Sequence, residues 1–507
     1  MQKTMSAACF LLTAVGERGM LNLLGGLLTA PFVYRRISMK KRIIALLCAG
    51  LLLAAAGCTA APASEYHADH HIVFSDTGVT IDGSVVPSFD YTWHVDPAGN
   101  YDEVKNSPGE YHTGTMPLGV SIWVDHDLPY YPAMDPAAFS IEECNGHKEW
   151  ATHYTDPAYS EYVFSTLPVF GEELPAEMMH TPEEAAKNAC LHITQPGAYA
   201  LTGSWQGQVL VDLGKGAKDD PKAVVTLILD NVDLTCTVAP AVVFDRVYEC
   251  AGSGGPAGAQ IYVAGGSENH LSGANIFRML KADYKKDSIS EQKKARKLDG
   301  ALYSGVSMEL NGPTENAGTL YVDSTFEGVC TEWDLTVNGG RTVIRSMDDG
   351  INCNAEEEST VTVNGGELVI SAGHGFEGDG LDSNGTAVVN GGRIITCGNP
   401  ANDPGVDADY GLTISGGELA AFGENGDEPV CTGEQPYLFL RLPEQTRSRT
   451  VTVLDQKGGT VLTCELPDDR AYGGMLLSAP EMTAGESYTV RLDGQTVTAA
   501  ASGNAVS

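Results

Sequence analysis

A repeat of about 26 residues constrains the fold of this chain more than any other feature of its sequence. Four segments share an alternating apolar run followed by an Asn-Gly-Gly or Ser-Gly-Gly turn: residues 335–340, 361–366, 387–392 and 412–417. A weaker copy precedes them at residues 308–312. The aligned Asn and Ser residues, starting from Asn311, lie 27, 26, 26 and 25 residues apart. Similarity at a nearly constant period indicates units that stack on their neighbours.

The length of the repeat distinguishes between architectures. Apolar residues alternate before the turn (Val361, Val363) and after it (Leu368, Ile370). Three short strands and three turns fit into about 26 residues as one coil of a parallel β-helix, whereas a propeller blade needs about 40–45 residues. We therefore predict an all-β fold: a right-handed parallel β-helix over residues 181–431, with an N-terminal aromatic-rich segment and a C-terminal β-rich cap over residues 432–507. Residues 224–234 and 260–266 are predicted to form earlier, less regular coils.

Stacked coils place equivalent side chains in rows, and two such rows have a predicted role. The first is a ladder of side-chain amides formed by Asn338, Asn364 and Asn390, with Ser415 near its end. The second follows each Gly-Gly pair and alternates in charge through Arg341, Glu367, Arg393 and Glu418. Opposite charges on neighbouring coils attract each other, so we expect ion pairs along this row of side chains.

An acidic set lies between the strands of three coils. It consists of Asp348, Asp349, Asn352, Glu377, Asp379, Asp382, Asp403, Asp407 and Asp409. Asp382 and Asp407 each lie eight residues before the turn Asn or Ser of their coil, so they should stack. Stacked carboxylates repel each other unless a cation lies between them. Because Ca²⁺ binds Asp, Glu, Asn and backbone oxygens, these residues are candidate calcium ligands. A solvated acidic edge without metal is the alternative interpretation.

The N-terminal part has the features of a secretory signal. Lys40, Lys41 and Arg42 precede an apolar run over residues 43–56 that ends at Gly57 and Cys58. We expect residues 1–57 to be a leader whose translation starts at Met39, and Cys58 to be the lipidation site, because 55–58 resembles a bacterial lipobox. An ordinary secretory signal is the alternative. The lipoprotein interpretation predicts an extracytoplasmic protein anchored in the cell membrane, with a tether over residues 58–75 and an accessory region over residues 76–180.

Charge limits the partners of the chain. Its 507 residues have a formal net charge of −35 at pH 7, which disfavours direct binding to nucleic acid or to an anionic membrane surface. Membrane contact is therefore expected only through the lipid anchor, and the protein is expected to be a monomer. One basic segment between Arg278 and Lys297 interrupts the coils as a short helix or an insertion. It contains the candidate uronate-binding residues Lys285, Lys286, Lys293, Lys294, Arg296 and Lys297. A solvated loop is the alternative.

Several motifs together resemble the bacterial secreted carbohydrate-binding β-helix family. They are Asp-Gly-Leu-Asp-Ser-Asn-Gly at residues 379–385, Val-Val-Asn-Gly-Gly at 388–392, Asp-Gly-Ala-Leu-Tyr-Ser at 299–304 and the run over 225–233. The resemblance covers about residues 191–431. It implies a polysaccharide-lyase-like fold that binds cellulose or acidic plant polysaccharide without established lyase activity. It also implies calcium near Asp349, Asp379, Asp382 and Asp407, whereas Tyr303 and Cys330 take the equivalent position on earlier coils.

Three functions are compatible with these features: a polysaccharide-binding module, a calcium-dependent lyase for uronate polymers, and a structural or adhesive surface protein. A lyase would use an unpaired Arg or Lys as the base that removes the α-proton of a uronate. Arg341 and Arg393 are predicted to be paired with acidic neighbours, which argues against that role. Arg345 lies outside their row of side chains, and its role as a base stays open. We assign no catalytic residue and expect a non-catalytic protein that binds polysaccharide through a calcium-stabilised β-helix.

Overall fold

The computed structural model describes residues 67–89, 121–125, 184, 186–251, 255–274, 279–280, 294–296, 298–355, 357–375 and 377–502. The predicted leader, Cys58 and most of the aromatic-rich segment lie outside these residues. Within the described part of the chain, no helix is both long enough and apolar enough to cross a membrane.

The described part is built from strands. Those of the N-terminal part are β1 (His70–Ser75), β2 (Gly78–Ile81), β3 (Ser84–Val85), β4 (Ser88–Phe89) and β5 (Ile122–Asp125). The central part contains β6 (Ala189–Ile193), β7 (Gly197–Asp212), β8 (Val225–Thr235), β9 (Val242–Arg246), β10 (Ala259–Val263), β11 (Glu268–Gly273), β12 (Met279–Leu280), β13 (Lys294–Arg296), β14 (Gly300–Ser304), β15 (Met308–Asn311), β16 (Thr319–Ser324), β17 (Glu327–Thr331), β18 (Leu335–Val337), β19 (Arg341–Ser346), β20 (Ile351–Cys353), β21 (Thr360–Val363), β22 (Glu367–Ser371), β23 (Leu381–Ser383), β24 (Thr386–Val389), β25 (Arg393–Cys397), β26 (Leu412–Ile414), β27 (Glu418–Gly423) and β28 (Cys431–Thr432). The C-terminal part contains β29 (Tyr437–Arg447), β30 (Thr450–Leu454), β31 (Thr460–Glu465), β32 (Ala471–Ser478), β33 (Ser487–Leu492) and β34 (Gln495–Ala500). One 3₁₀ helix, Ala217–Asp219, lies between β7 and β8.

Strands of the central part pair in parallel to form three columns, to which successive coils of the chain add their strands. The first column contains the beginnings of β7 and β8, followed by β10, β15, β18, β21, β24, β26 and β28. The second contains later residues of β7 and β8, followed by β11, β16, β19, β22, β25 and β27. The third contains β6, the end of β7, β9, β14, β17, β20 and β23. This all-β, mostly parallel arrangement is compatible with the predicted β-helix.

The alternating apolar residues of the repeat form the interior of the coils. In the first column Leu335, Val361, Ala387 and Leu412 lie in register on successive coils and are at most 1% exposed. Successive side chains of a strand point to opposite faces, so the polar residues between them face outward. Removing this apolar stack from water is the main term that stabilises coils of this kind.

The turn glycines set the path from the first to the second column. The second glycine of each turn, Gly340, Gly366, Gly392 or Gly417, has φ between +76° and +80°. Residues with a Cβ rarely adopt this left-handed conformation, so the Gly-Gly pair allows the same turn on each coil.

The predicted amide ladder is confirmed. Nδ2 of Asn364 donates a hydrogen bond to Oδ1 of Asn338, and Nδ2 of Asn390 donates to Oδ1 of Asn364, each at 2.9 Å. The ladder extends to the weaker first repeat, where Asn338 donates to Asn311 at 2.9 Å. One side chain therefore donates to the coil before it and accepts from the coil after it.

The predicted ion pairs along the second column are confirmed as well. Arg341 Nε lies 2.8 Å from Glu367 Oε2, and Arg393 lies 3.7 Å from Glu367 and 3.1 Å from Glu418. These side chains are about one-third exposed, so each pair contributes little to stability, about 0.2–1 kcal/mol. Their main consequence is that both guanidinium groups are occupied by carboxylates.

The C-terminal part packs on the outer face of the second column. Strand β32 pairs antiparallel with β27 on one side and with β29 on the other, and β31, β30, β33 and β34 form a separate antiparallel sheet. Ile395 and Phe422 of the coils are buried in one cluster with Val453 and Tyr488 of this part. The last coils are therefore covered by apolar side chains on this face.

A polar network joins the C-terminal part to the coil that contains Ser371. Asp468 accepts hydrogen bonds from the hydroxyl groups of Ser371 (2.6 Å) and Tyr472 (2.7 Å) and pairs with Arg470. Although burial raises the pKa of Asp468, the bonds from Arg470 and Ser371 lower it to about 2. His374 Nε2 lies 2.7 Å from the Ser371 hydroxyl, and burial, followed by Arg470, lowers the pKa of this histidine to about 4.

The folded part of the N-terminal region begins earlier in the sequence than its composition indicates. Strand β1 lies within the range 58–75 that we interpreted as a tether, yet its residues 70–74 pair in parallel with β7. Its side chains Ile72 and Phe74 are buried in the interior cluster of the coils. This segment is therefore part of the folded body from His70 onward, because its alternating apolar residues complete the first column.

We expect the amide ladder to contribute measurably to stability. Replacing Asn364 by Ala removes two ladder hydrogen bonds and should lower the free energy of unfolding by about 1–2 kcal/mol. Asn390→Ala, which removes one of the described bonds, should cost about half as much. Urea denaturation of both variants checks this, and equal costs would contradict a ladder in which each interior amide bonds on both sides.

We expect His374 to make folding sensitive to moderate acid. The unfolded histidine titrates near pH 6.5 and the folded one near pH 4, so the unfolded chain binds more protons between these values. The contribution of neutral His374 to the free energy of unfolding is fully present above about pH 6.5 and is lost as the pH falls to about 4. Urea denaturation across this range should show a smaller loss for His374→Gln than for the parent protein. The control His270→Gln changes an exposed ring on β11 and should keep the parental loss. If His374→Gln lost stability as steeply as the parent, the assignment would be wrong.

Candidate cation and carbohydrate site

The third column begins on successive coils with an acidic residue followed by glycine. These pairs are Glu327-Gly328, Asp349-Gly350 and Asp379-Gly380, and the register of β17, β20 and β23 places them above one another. A Cβ added to Gly350 would overlap Ile370 Cγ2 and lie 2.5 Å from the carbonyl oxygen of Gly380. Glycine is therefore required for the chain to pass this close to the second column, and it positions an acidic residue at the same corner of each coil.

Backbone and side-chain hydrogen bonds join these corners. The N–H of Gly350 donates to the carbonyl oxygen of Asp379 at 2.9 Å. The N–H of Asp379 in turn donates to Oδ1 of Asp349 at 2.7 Å. One coil later, Oδ2 of Asp403 accepts a 2.7 Å hydrogen bond from the N–H of Gly378. The acidic side chains are thus held by the backbone of the neighbouring coil.

A second polar row runs beside the first, three residues further along each coil. Asn352 and Asp382 lie in register in the third column, and the bridge between Leu381 and Val406 places Asp407 next in the row. The Nδ2 group of Asn352 donates to Oε1 of Glu327 (2.9 Å) and to Oδ2 of Asp349 (3.0 Å). The predicted stacking of Asp382 and Asp407 is confirmed.

Three carboxylates converge where the two rows meet. Asp379, Asp382 and Asp407 each offer an oxygen, and these three oxygens lie within 4.8 Å of one another. Oδ1 of Asp379 is buried and has no hydrogen-bond partner among the described residues, and the same holds for Oδ1 of Asn352. Buried oxygens normally have a partner, so each of these two atoms is available as a ligand for a cation. The donor set consists of hard oxygen atoms, which fits Ca²⁺.

The electrostatics of this group are unfavourable without such a partner. Burial, followed by the charges of Asp348 and Asp382, raises the pKa of Asp349 well above its usual range. Burial, followed by the charges of Asp382 and Asp407, does the same to the pKa of Asp379. The neighbouring charges that raise both pKa values are carboxylates, so each ionised member opposes ionisation of the next. A proton or a cation is needed to hold them together.

The structure brings five of the nine predicted metal ligands into these two rows, and a sixth, Asp403, lies beside them; the five are Asp349, Asn352, Asp379, Asp382 and Asp407. Glu377 and Asp409 are exposed and lie outside the convergent carboxylates, and Asp348 contributes mainly through its charge on Asp349 and Asp379. Sequence reasoning missed Glu327, which is 5% exposed and bonded to Asn352. The acidic-glycine pair that it shares with Asp349 and Asp379 would have identified it.

The earlier coils carry other residues at the same position, as expected. Tyr303, Cys330 and Asn352 follow one another in register in the third column. Tyr303 and Cys330 are buried in a small apolar cluster with Val243. The oxygen-rich part of the column therefore begins at Asn352.

The predicted basic segment lies between β11 and β14. Its described residues form an antiparallel pair, β12 with β13, so an insertion interrupts the coils and these residues are strand rather than helix. The side chains of Lys285, Lys286, Lys293, Lys294, Arg296 and Lys297 lie outside what the structure describes. Their role in uronate binding stays a prediction.

The arginines considered as lyase bases, Arg341, Arg345 and Arg393, lie on strands of the second column. Arg341 and Arg393 are paired with Glu367 and Glu418. Arg345 is exposed and lies in register between Asp323 and Ser371. The convergent carboxylates, by contrast, lie at the start of the third column and beside it.

Comparison with known proteins identifies a family. The sequence model of the family described as "Carbohydrate-binding domain-containing protein" matches residues 187–465, more than half of the chain. Among solved structures, a polysaccharide lyase-like protein from C. thermocellum, as a gadolinium derivative, matches with 23% identity and a TM-score of 0.31 over 48% of this chain and 85% of that one. A search of curated proteins finds no match. On the extent of the family match, the chain belongs to the carbohydrate-binding domain-containing family.

Proposed function

We propose that this protein is a non-catalytic surface lipoprotein that binds polysaccharide, acidic glycans included, through a right-handed parallel β-helix stabilised by Ca²⁺. The observation that carries the calcium part is the convergence of Asp379, Asp382 and Asp407, three carboxylate oxygens within 4.8 Å. Membership of a carbohydrate-binding family supports a polysaccharide ligand. The repeat and the register of the coils support the β-helix, and right-handed crossovers are the rule for parallel strands.

The donor set favours a hard cation over a transition metal. The nearby side-chain donors are carboxylate and amide oxygens, namely those of Asp379, Asp382, Asp407, Asn352 and Glu327. Ca²⁺ takes six to eight such ligands, so three carboxylates leave room for oxygens from a ligand. When bound, the cation would supply positive charge to an otherwise anionic corner and allow a uronate carboxylate to approach it.

The arrangement of Arg341 and Arg393 supports binding rather than catalysis. A lyase needs an Arg or Lys that can lose its proton beside the metal-bound uronate. Glu367 holds Arg341, and Glu418 holds Arg393, on a different column. Both guanidinium groups are thus engaged by carboxylates on that column.

The location of the protein is proposed from its N-terminal sequence. The basic residues 40–42, the apolar run 43–56 and Cys58 support a lipid anchor and a body that faces outward from the cell membrane. In this arrangement the basic segment 285–297 is a second contact for acidic glycans, and the protein acts as a monomer.

Calcium is expected to stabilise the protein. A saturating excess of Ca²⁺, about 100 times its dissociation constant, should add about 2.7 kcal/mol to the free energy of unfolding and raise the melting temperature, and EDTA should reverse this. The double variant Asp382→Asn, Asp407→Asn should lose the response and be more stable than the parent in EDTA, because it contains fewer repelling charges. Asp323→Asn, an exposed acid on β16, is the matched control and should keep the response. A melting temperature unaffected by EDTA would refute the calcium site.

Polysaccharide binding is tested separately from catalysis. With Ca²⁺ present, the protein should bind polygalacturonate coupled covalently to beads, and EDTA should lower its association constant about tenfold or more, the equivalent of about 1.4 kcal/mol. Incubation with soluble polygalacturonate should generate no unsaturated, ultraviolet-absorbing chain ends. Formation of such ends would identify a lyase, and absence of binding to pectin, cellulose and a glycan array would favour a structural role.

A further inference from the structure

Tyr410 is an exposed aromatic residue close in sequence to Asp407, one of the three convergent carboxylates. It is 55% exposed, and among the Phe, Trp and Tyr side chains that the structure describes it alone is exposed. It lies three residues after Asp407, in the turn that leads from the third column to β26. Single exposed apolar side chains are normal on protein surfaces; what distinguishes Tyr410 is its fixed position three residues from Asp407, a member of the convergent carboxylates.

The backbone around Tyr410 is held against the preceding coil. The N–H groups of Asp407, Asp409 and Tyr410 donate to the carbonyl oxygens of Leu381 (2.8 Å), Ser383 (3.1 Å) and Gly385 (2.8 Å). Between the outward-facing Asp407 and Asp409, Ala408 packs against the interior cluster. The segment is therefore anchored on both faces, and the position of Tyr410 relative to Asp407 is fixed by the fold.

The separation of the two residues suits a single extended ligand. A chain of three residues spans at most about 10 Å between its end Cα atoms, a distance that a short oligosaccharide bridges. On the next coil, Val430 is 73% exposed, and its carbonyl oxygen accepts a 2.9 Å hydrogen bond from the N–H of Leu412. Tyr410, in the turn that follows Asp407 and leads into the first column, and Val430, on the next coil, thus provide apolar surface.

We propose that Tyr410 is a sugar-stacking subsite of the carbohydrate site. The C–H face of one pyranose ring packs on the phenol ring, while the carboxylate of a neighbouring uronate unit reaches the cation held by Asp382 and Asp407. The charges explain this division: Asp407 and Asp409 exclude a direct anionic contact at this edge, whereas an aromatic face accepts an uncharged sugar surface. This inference rests on the proposed function, because its second contact is the cation-dependent one.

Isothermal titration of the full chain with an oligogalacturonide of defined length, in excess Ca²⁺ and in EDTA, tests the proposal. Tyr410→Ala should weaken calcium-dependent binding about three- to tenfold, and Tyr410→Phe, which keeps the ring, should stay within about twofold of the parent. The matched control is Tyr321→Ala, a partly exposed tyrosine on β16 of the second column, which should bind as the parent does. The melting-temperature shift caused by Ca²⁺ should be unchanged in Tyr410→Ala, because the phenol ring is not a metal ligand.

The outcomes separate this inference from the proposed function. If the parent binds in a calcium-dependent manner and Tyr410→Ala binds equally well, the stacking subsite is refuted while the proposed function stands. If the parent shows no calcium-dependent binding, the stacking subsite and the calcium-dependent glycan contact of the proposed function are refuted together. A loss of the calcium-induced melting shift in Tyr410→Ala would also contradict the proposal, since it would show that the substitution disrupts the coil rather than a sugar contact.

Discussion

Stacking of parallel coils in register is the constraint on which the rest of this structure depends. Each outward side chain lies above the equivalent side chain of the next coil, at the strand spacing of about 4.8 Å. Its main partner is therefore determined by the residue one period away in the sequence. Asparagine can both donate and accept a side-chain hydrogen bond, so repeated asparagines bond to one another, as in the ladder from Asn311 to Asn390. A residue type that repels itself must alternate, be covered or be neutralised.

The two charged columns show both solutions to this problem. On the second column the charges alternate, and Arg341, Glu367 and Arg393 pair without help at a partly exposed surface. At the start of the third column, Glu327, Asp349 and Asp379 have the same sign and lie in a more buried corner. Screening by water is weaker there, so repulsion between like charges is larger than the attraction along the exposed column. Because alternation of charge along the second column avoids this repulsion, the like-charged corner supports the proposal that these residues serve cation binding rather than stability.

The features that follow directly from the period could be predicted from the sequence. The Asn-Gly-Gly spacing located the strands of the first two columns, and the common eight-residue offset of Asp382 and Asp407 placed them together. Features that depend on contacts distant in sequence could not be predicted. Strand β1 joins the first column by pairing with β7, more than a hundred residues later. Strand β32 packs antiparallel on β27, and no local pattern distinguishes that edge from any other. Glu327 was not predicted as a site residue because the chain between β17 and β20 is shorter than the chain between β20 and β23. Its distance in sequence from Asp349 therefore differs from the regular spacing of the repeat.

The outer face of the third column explains why the site lies on the later coils. On the earlier coils the outward residues of this column, Val243, Tyr303 and Cys330, are buried in an apolar cluster with Val238 and Ala239, so this face is covered by the chain itself. The next residue in the row is Asn352, then Asp382, and finally the exposed Asp407. The change from apolar to acidic residues follows the loss of this cover, because an ionised carboxylate beneath a closed apolar layer would be strongly destabilising. Since the C-terminal part covers the second column of the last coils, the third column is the face on which the described residues present an acidic surface to the proposed glycan. Under the proposed function, the position of the carbohydrate site depends as much on where the described covering segments end as on the cation ligands themselves.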